Sequence, residues 1–264
     1  MAAGTITEPD YAGRRGDVPL GAESGAAGLL RRVYATGLVE DAEGGVREAF
    51  GPSVPWSTGR MLYELTLDER IESTLEIGMA YGLSTLFFCQ AHSEKGAGLH
   101  TAIDPWQRQW GNVGRLNVQR AGLGGYLRLI EAPSSEALPK LCERNERFDL
   151  AFIDGMHRFD SVLLDFFYVD RMLKVGGLVI FDDLGMPSVR KVVSYVLRNR
   201  AYAVAPIRPR EDRILLARLA RVARLLVRDP LAVWYNGLAI ALANTIVLRK
   251  TAPDRRAWDF HRAF

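Results

Sequence analysis

The stretch LEIGMAYGLST, residues 75–85, joins a short apolar run to a helical pattern through a turn that contains two glycines. Four further apolar runs follow along the chain, and amphipathic stretches separate them. The five runs are TLEIG, LHTAID, LRLIEA, DLAFID and GLVIFDD, and helical patterns lie near residues 83–92, 111–122, 134–145 and 160–173. Runs that are apolar throughout indicate strands covered on both faces, and alternation with helices makes such strands parallel. The sequence therefore predicts a doubly wound α/β fold, with helices on both faces of a mostly parallel sheet.

The segments that flank this alternation complete a seven-stranded sheet. Pro187 stands where a first helical position is expected and predicts a helix to about Asn199, and AYAVAPI (201–207) and NTIVLRK (244–250) are predicted to be the last two strands. We divide the chain into an N-terminal arm with cap helices, residues 1–66, and one ligand-binding domain, residues 67–264. Within that domain, residues 208–240 are predicted to form a helical insertion before the last strand.

Composition sets broad limits. The chain has 264 residues, of which 48% are hydrophobic, and its net charge of +3 gives no chain-wide reason to bind nucleic acid. The N-terminus lacks the apolar stretch of a secretory signal, and the two cysteines, Cys89 and Cys142, have neither metal-ligand nor redox spacing. We therefore expect a cytoplasmic protein with reduced thiols.

The turn after the first strand is the expected ligand crevice of such a sheet. Gly78 and Gly82 let the backbone approach a ligand, and the helix that follows offers free N–H groups to a carboxylate. Asp104 ends the second strand, where an acid commonly receives the hydroxyl pair of a ribose. Glu76 suits a ligand with an ammonium group, although an ordinary strand-end charge is the alternative. The G-x-x-x-G spacing lacks the third glycine of a dinucleotide fingerprint, which argues against a nicotinamide-dependent oxidoreductase.

Acidic residues end the fourth and fifth strands. If these strands are neighbours, Asp154, Asp182 and Asp183 meet at one edge of the sheet, where a hard divalent cation would relieve their repulsion. Helix or loop capping is the alternative for these aspartates. His157 follows Asp154 by three residues and is interpreted as a proton acceptor, a metal ligand or a residue that orients Asp154. Asp160 and Asp165 are expected on a solvated or capping face.

Taken together, these motifs resemble the class I S-adenosylmethionine-dependent methyltransferases, especially the group of catechol O-methyltransferase and the macrocin-type bacterial O-methyltransferases. The resemblance runs from about Gly59 to about Tyr202 and includes LEIGMAYGLST, AIDP, EAPSSEALPKL, FIDGMHRFD and GGLVIFDD, in the order and spacing of the family. It implies that Gly78, Gly82 and Ser84 hold the methionine end of the cofactor, with Asp104 on the ribose and Ser134 near the adenine.

The resemblance also bears on the acidic residues. It implies a metal site formed by Asp154, Asp182 and Asp183, with Mg²⁺ as the expected ion. His157 stands where the catechol enzyme has a lysine thought to accept the substrate proton. Asp183 replaces an asparagine of that enzyme and adds charge to the site.

The resulting hypothesis is an S-adenosylmethionine-dependent, Mg²⁺-dependent O-methyltransferase that acts on a hydroxyl of a sugar, a phenol or a natural-product scaffold. The first alternative keeps the cofactor without the metal and methylates a carboxylate or an amine. The others are a nicotinamide-dependent oxidoreductase and a relative without catalytic activity.

A basic segment near the C-terminus is not explained by these motifs. RILLARLARVARLLVR, residues 213–228, has an apolar helical face opposite an arginine-rich one, and an uncharged run follows it. We interpret the insertion as a pocket cover or as the interface of a homodimer. A peripheral membrane contact through residues 213–248 is the alternative. Nucleic-acid binding is not expected, because the helix lacks interleaved aromatic residues.

Overall fold

The computed structural model describes residues 25–51, 53–207 and 244–264. Over these ranges the helices and strands follow one another in the predicted order, after a short N-terminal section. The helices are α1 (Gly25–Thr36), α2 (Trp56–Thr66), α3 (Leu83–Lys95), α4 (Val113–Arg120), α5 (Ser134–Glu143), α6 (Phe159–Met172) and α7 (Pro187–Asn199). The strands are β1 (Leu38–Glu40), β2 (Val46–Glu48), β3 (Ser73–Ile77), β4 (Leu99–Ile103), β5 (Leu127–Ile130), β6 (Phe148–Ile153), β7 (Leu173–Phe181), β8 (Tyr202–Val204) and β9 (Ile246–Lys250).

Seven strands form one mostly parallel sheet with the order β5-β4-β3-β6-β7-β9-β8. Each of the seven predicted strands is present, and the helix predicted from Pro187 to about Asn199 has those bounds. The predicted doubly wound α/β fold is confirmed. The predicted insertion at 208–240 and the basic segment at 213–228 lie outside the described residues. The chain divides into two compact units, Met1–Pro133 and Ser134–Phe264, and we describe each by itself.

In the first unit β3, β4 and β5 are parallel neighbours in close register. Ile77 lies opposite Ile103, and Ile103 lies opposite Ile130, so the three strands end at one edge. Helix α3 packs against α1, α2 and α4. The α2–α3 contact depends on Gly59, because a side chain there would run into the ring of Phe87.

The N-terminal section differs from its prediction, which named only an arm and helices. An antiparallel hairpin of β1 and β2 lies between α1 and α2. Its turn is stabilised by Asp41, whose Oδ1 accepts hydrogen bonds from the backbone N–H groups of Glu43 and Gly45 at 3.2 and 2.6 Å. Strands of three residues have too little periodicity to be recognised in the sequence.

The second unit contains the strands that carry the acidic residues. β6 is parallel to β7, with Ile153 opposite Phe181, and all six residues of β6 are buried. β9 lies antiparallel between β7 and β8, so Ile246 at its start is opposite Phe181 at the end of β7. The residues just before β9 are therefore placed at the carboxyl end of β7. Within the described part of the chain, no helix is both long and apolar enough to cross a bilayer.

Candidate active site

The turn between β3 and α3 has an unusual backbone. Gly78, Ala80 and Gly82 all have positive φ angles, of 92°, 44° and 74°. The left-handed conformation is unfavourable for alanine, so it needs support from neighbouring groups. Asp104, at the end of β4, provides that support, because its Oδ2 accepts hydrogen bonds from the N–H groups of Met79 at 3.0 Å and Ala80 at 2.7 Å.

Asp104 has two further contacts, one on each oxygen. Oδ1 accepts the N–H of Trp106 at 2.7 Å, and the amide of Gln107 bridges Asp104 Oδ2 and the carbonyl of Ala80. The Asp104 side chain is buried and has several donors already. Its direct effect is to fix the turn, and its contact with a ribose stays a prediction.

Among the described residues, no side chain caps the first turn of α3. Its N-terminal residue is preceded by Gly82, which provides no side-chain cap, so the N–H groups of the first turn are available to an anion such as a carboxylate. Ser84 is buried in this turn. Gly82 also has a packing role, because a Cβ there would lie 3.0 Å from the Cα of Gly114 in α4. These features fit the predicted binding of the methionine end of a cofactor.

Glu76 lies in β3, two residues before the turn, and is fully buried. Its Oε2 accepts a hydrogen bond from Thr85 at 2.5 Å and contacts Nε2 of His100 at 3.0 Å. Its Oε1 has no hydrogen-bond partner within the part of the chain that the structure describes. Sequence reasoning did not identify Thr85 or His100. The alternation of β4 would have placed His100 on the same face as Glu76.

The second unit brings a histidine between two aspartates. Nε2 of His157 lies 3.1 Å from Oδ2 of Asp183 and 3.5 Å from Oδ1 of Asp154. The three side chains each offer one ligand atom, and these atoms lie within 4.8 Å of one another. Among the described residues this is the one group of histidine, cysteine and acidic side chains with such spacing. We call these three residues the acid–imidazole cluster.

Asp182, predicted as a metal ligand, lies beside this cluster but has other partners. Its Oδ1 accepts hydrogen bonds from the hydroxyl of Thr245 at 2.6 Å and the amide of Asn244 at 3.2 Å. The Asn244 amide also lies 3.4 Å from Oδ1 of Asp183. Sequence reasoning missed Asn244 and Thr245, although both stand at the start of the last predicted strand.

The loops around the cluster are fixed by side chains of α7. Asp183 has a left-handed backbone with φ of 57°, which turns the chain directly after β7. The guanidinium of Arg190 donates to the carbonyls of Leu184 and Gly185, each at 2.7 Å, and Ser188 donates to the carbonyl of His157 at 2.5 Å. The positions of Asp183 and His157 therefore depend on one buried arginine and one serine.

The electrostatics of the cluster favour a bound cation. Burial, reinforced by the charges of Asp182 and Asp183, raises the pKa of Asp154 to about 7. Burial also raises the pKa of Asp182, whereas contact with Asp154 raises the pKa of His157. Carboxylate oxygens suit a hard divalent cation, so Asp154 and Asp183 fit the predicted metal.

Ser134, predicted near the adenine, is the first residue of α5 and forms a hydrogen bond with Asp165 of α6. The expectation of a solvated or capping face is wrong for Asp165, which is buried. Burial raises the pKa of Asp165 to about 6, against the effect of the Ser134 hydroxyl. Asp160 is exposed, as expected.

Residues 75–184 match a protein family described as a methyltransferase domain, and this segment includes the glycine turn and the acid–imidazole cluster. The predicted resemblance to the methyltransferases is thus confirmed. The chain is 30% identical over 140 residues to caffeoyl-CoA O-methyltransferase of Populus kitakamiensis, covering 50% of this chain and 55% of the relative. It is 25% identical over 126 residues to catechol O-methyltransferase of Mycobacterium tuberculosis, covering 48% of this chain and 54% of the relative.

The alignments thus span about half the length of these relatives. A solved structure with a similar fold is the O-methyltransferase from Bacillus cereus in complex with S-adenosylhomocysteine (SAH). It has a TM-score of 0.54 and 17% sequence identity, over 71% of this chain and 85% of that chain. At this identity the likeness concerns the fold alone.

Proposed function

We propose that this protein is an S-adenosylmethionine-dependent O-methyltransferase that needs a divalent cation, with Mg²⁺ as the first candidate. The observation that carries the proposal is the acid–imidazole cluster, which lies inside the segment that matches a methyltransferase domain. The names of the relatives, caffeoyl-CoA and catechol O-methyltransferase, support transfer to oxygen.

The residues of the first unit would hold the cofactor, which supplies an activated methyl group when bound. Gly78 and Gly82 have no side chain at the two ends of the turn, and the N–H groups of the first turn of α3, which contains Ser84, would bind the carboxylate of its methionine part. Glu76 Oε1 is a buried acceptor without a partner among the described residues and fits an ammonium group, directly or through a water molecule. Asp104 keeps the turn in its left-handed conformation. In the second unit, Ser134 is proposed near the adenine.

The residues of the second unit would activate the acceptor. A divalent cation held by Asp154 and Asp183, with Asp182 beside them, would neutralise these carboxylates and lower the pKa of a coordinated hydroxyl. His157, whose side chain is partly exposed and whose Nε2 lies next to both ligands, would then accept the hydroxyl proton. In this proposal the aspartates would bind the cation, and the imidazole of His157 would remove the proton of the acceptor hydroxyl.

The acceptor is proposed to be a small molecule with a hydroxyl group, such as a phenol, a sugar or a natural-product scaffold. Two neighbouring hydroxyl groups are proposed because one of the relatives is a catechol O-methyltransferase. A catechol therefore makes a suitable first acceptor for an assay.

The test measures SAH release from S-adenosylmethionine with catechol and related acceptors, with 5 mM Mg²⁺ or with EDTA. We expect turnover that needs Mg²⁺, is lost in His157→Gln and is unchanged in His261→Gln, a control at an exposed histidine. Turnover that persists in EDTA and in Asp182→Asn would favour the metal-independent alternative. Titration with SAH, compared with NAD, separates both from an oxidoreductase.

A further inference from the structure

A chain of buried polar groups runs through the first unit, behind the glycine turn. It begins at the carbonyl of Ala97, which lies 3.2 Å from Nδ1 of His92, and continues from Nε2 of His92 to the hydroxyl of Thr74 at 3.0 Å. The same hydroxyl lies 2.8 Å from Nδ1 of His100, and Nε2 of His100 lies 3.0 Å from Oε2 of Glu76. The side chains of the four residues from His92 to Glu76 are buried.

A count of protons fixes the state of this chain. Its two ends, a carbonyl oxygen and a carboxylate, can only accept hydrogen bonds, and four contacts need four protons. A neutral threonine and two neutral histidines supply three. The fourth proton must therefore be shared between His100 and Glu76, which gives the pair no net charge. A neutral pair is also the state that burial favours, because an isolated ion would be costly there.

The tautomers follow from the same count. The carbonyl of Ala97 requires an N–H at Nδ1 of His92, so Nε2 of that ring accepts from Thr74. The Thr74 oxygen then accepts from Nδ1–H of His100. Each residue in the chain thereby determines which nitrogen of the next ring carries hydrogen.

Packing holds the two rings in place. The ring of His100 stacks on Phe88 at 4.4 Å between centroids, with 13° between the planes. His92 occupies space that only a glycine leaves, because a Cβ at Gly98 would lie 2.2 Å from Nδ1 of His92. The hydrogen bonds of the chain therefore connect groups that have little freedom to turn away.

We propose that His100 is a positioning residue for the turn between β3 and α3, acting through Glu76. His100 and Thr85 both bind Oε2 of Glu76, and Thr85 belongs to α3, so the carboxylate joins the strand before the turn to the helix after it. Oε1 of Glu76 has no hydrogen-bond partner among the described residues. The two contacts of Oε2 therefore hold Oε1 at a fixed position, where it can accept a hydrogen bond from a ligand. This inference rests on the proposed function, in which that turn binds S-adenosylmethionine.

The proton count is tested on the unchanged protein by nitrogen-15 NMR of its imidazole groups at pH 8.5, where a free histidine is neutral. The protein has four histidines. The signals that disappear in His157→Gln and in His261→Gln belong to those two residues, and the remaining signals belong to His92 and His100. We expect a proton on Nδ1 in both His92 and His100. An unprotonated Nδ1 in either ring would overturn the count. In Glu76→Gln the side-chain amide can donate the fourth hydrogen bond, to Nε2 of His100. His100 is therefore expected to keep its proton on Nδ1 and to have no proton on Nε2.

The positioning role is tested by calorimetric titration with SAH. His100→Phe keeps a ring against Phe88 but offers no N–H, and we expect SAH affinity to fall about 10-fold or more, the scale of one lost hydrogen bond to a charged group. His261→Phe is the matched control and should bind as the wild type does. Unchanged SAH affinity in a folded His100→Phe protein would overturn the role.

Thr74→Val provides a second variant if His100→Phe does not fold. It removes only the hydroxyl that links the two rings, and it should weaken SAH binding in the same direction. If the wild type itself binds no SAH, the proposed function fails and the positioning role with it, whereas the NMR result still decides the proton count.

Discussion

Asp154→Asn is expected to stabilise the metal-free protein at pH 8 while it removes a metal ligand. The Asp154 side chain is largely buried beside two other carboxylates, and its pKa is raised from 3.8 to about 7. A raised carboxyl pKa means that the folded state prefers the protonated form. The stability from this group is fully present below pH 3.8 and is lost as the pH rises through about 7.

The magnitude follows from the same values. Between pH 5 and pH 8 the folded wild type loses roughly 2–3 kcal/mol through the ionisation of Asp154, since one pKa unit corresponds to about 1.4 kcal/mol. Asparagine does not ionise, and the pKa of about 7 already includes the contact of Asp154 with His157, which lowers it. We therefore expect the stability of Asp154→Asn to fall by roughly 2–3 kcal/mol less than that of the wild type between pH 5 and pH 8, so that Asp154→Asn is the more stable protein at pH 8.

The assay is urea denaturation in EDTA at a series of pH values, repeated in 10 mM MgCl₂. In Mg²⁺ the order at pH 8 should reverse, because the ion stabilises only the protein that can bind it. Parallel pH profiles of the two proteins in EDTA would refute the assignment of the raised pKa to Asp154. Equal stabilisation of both proteins by Mg²⁺ would refute its role as a ligand.

Three further results are expected. His157→Gln should lower the turnover number by about 100-fold or more, with SAH affinity unchanged in calorimetry, because it removes only the proton acceptor. Gly82→Ala should cost about 2–4 kcal/mol in urea denaturation, since its positive φ and close contact with Gly114 add; Gly122→Ala, with φ of 74° but open space, should cost about 1 kcal/mol. Asp170→Ala should cost about 3–5 kcal/mol, because it leaves the buried Lys250 without its carboxylate and leaves Arg200 with Asp254 alone.

Most of the fold could be predicted from hydrophobic pattern alone. Strands that are buried on both faces give continuous apolar runs, and all six residues of β6 are of that kind. The position of β9 between β7 and β8 could not be derived from the same pattern, because an apolar run does not state its neighbours or its direction. The β1–β2 hairpin was missed because its strands have three residues each.

The candidate site was predicted in part. The structure brings Asp154, His157 and Asp183 together, and the strand-end rule accounts for the two aspartates, since parallel neighbours in register end at one edge. Asp182 follows the same rule, but its side chain faces Thr245, and this orientation depends on a strand far away in sequence. The hydrogen bonds of Asp104 and the burial of Asp165 likewise depend on tertiary contacts. The proposed metal, dimer, cytoplasmic location and insertion at 208–240 stay predictions.

The direction of β9 has a consequence for how this protein could change over time. β8 ends and β9 begins at the edge of the sheet where β7 ends and Asp182 and Asp183 follow it. At this edge the carbonyl of Asn244 accepts a hydrogen bond from the backbone N–H of Leu184. The connection between these two strands can therefore be lengthened, shortened or exchanged without altering the pairings of β7, β8 and β9 given above. Any replacement would still finish at Asn244, next to Asp182 and Asp183, so evolution could vary the surroundings of the acid–imidazole cluster through this one connection while the strands that carry the cluster stayed unchanged.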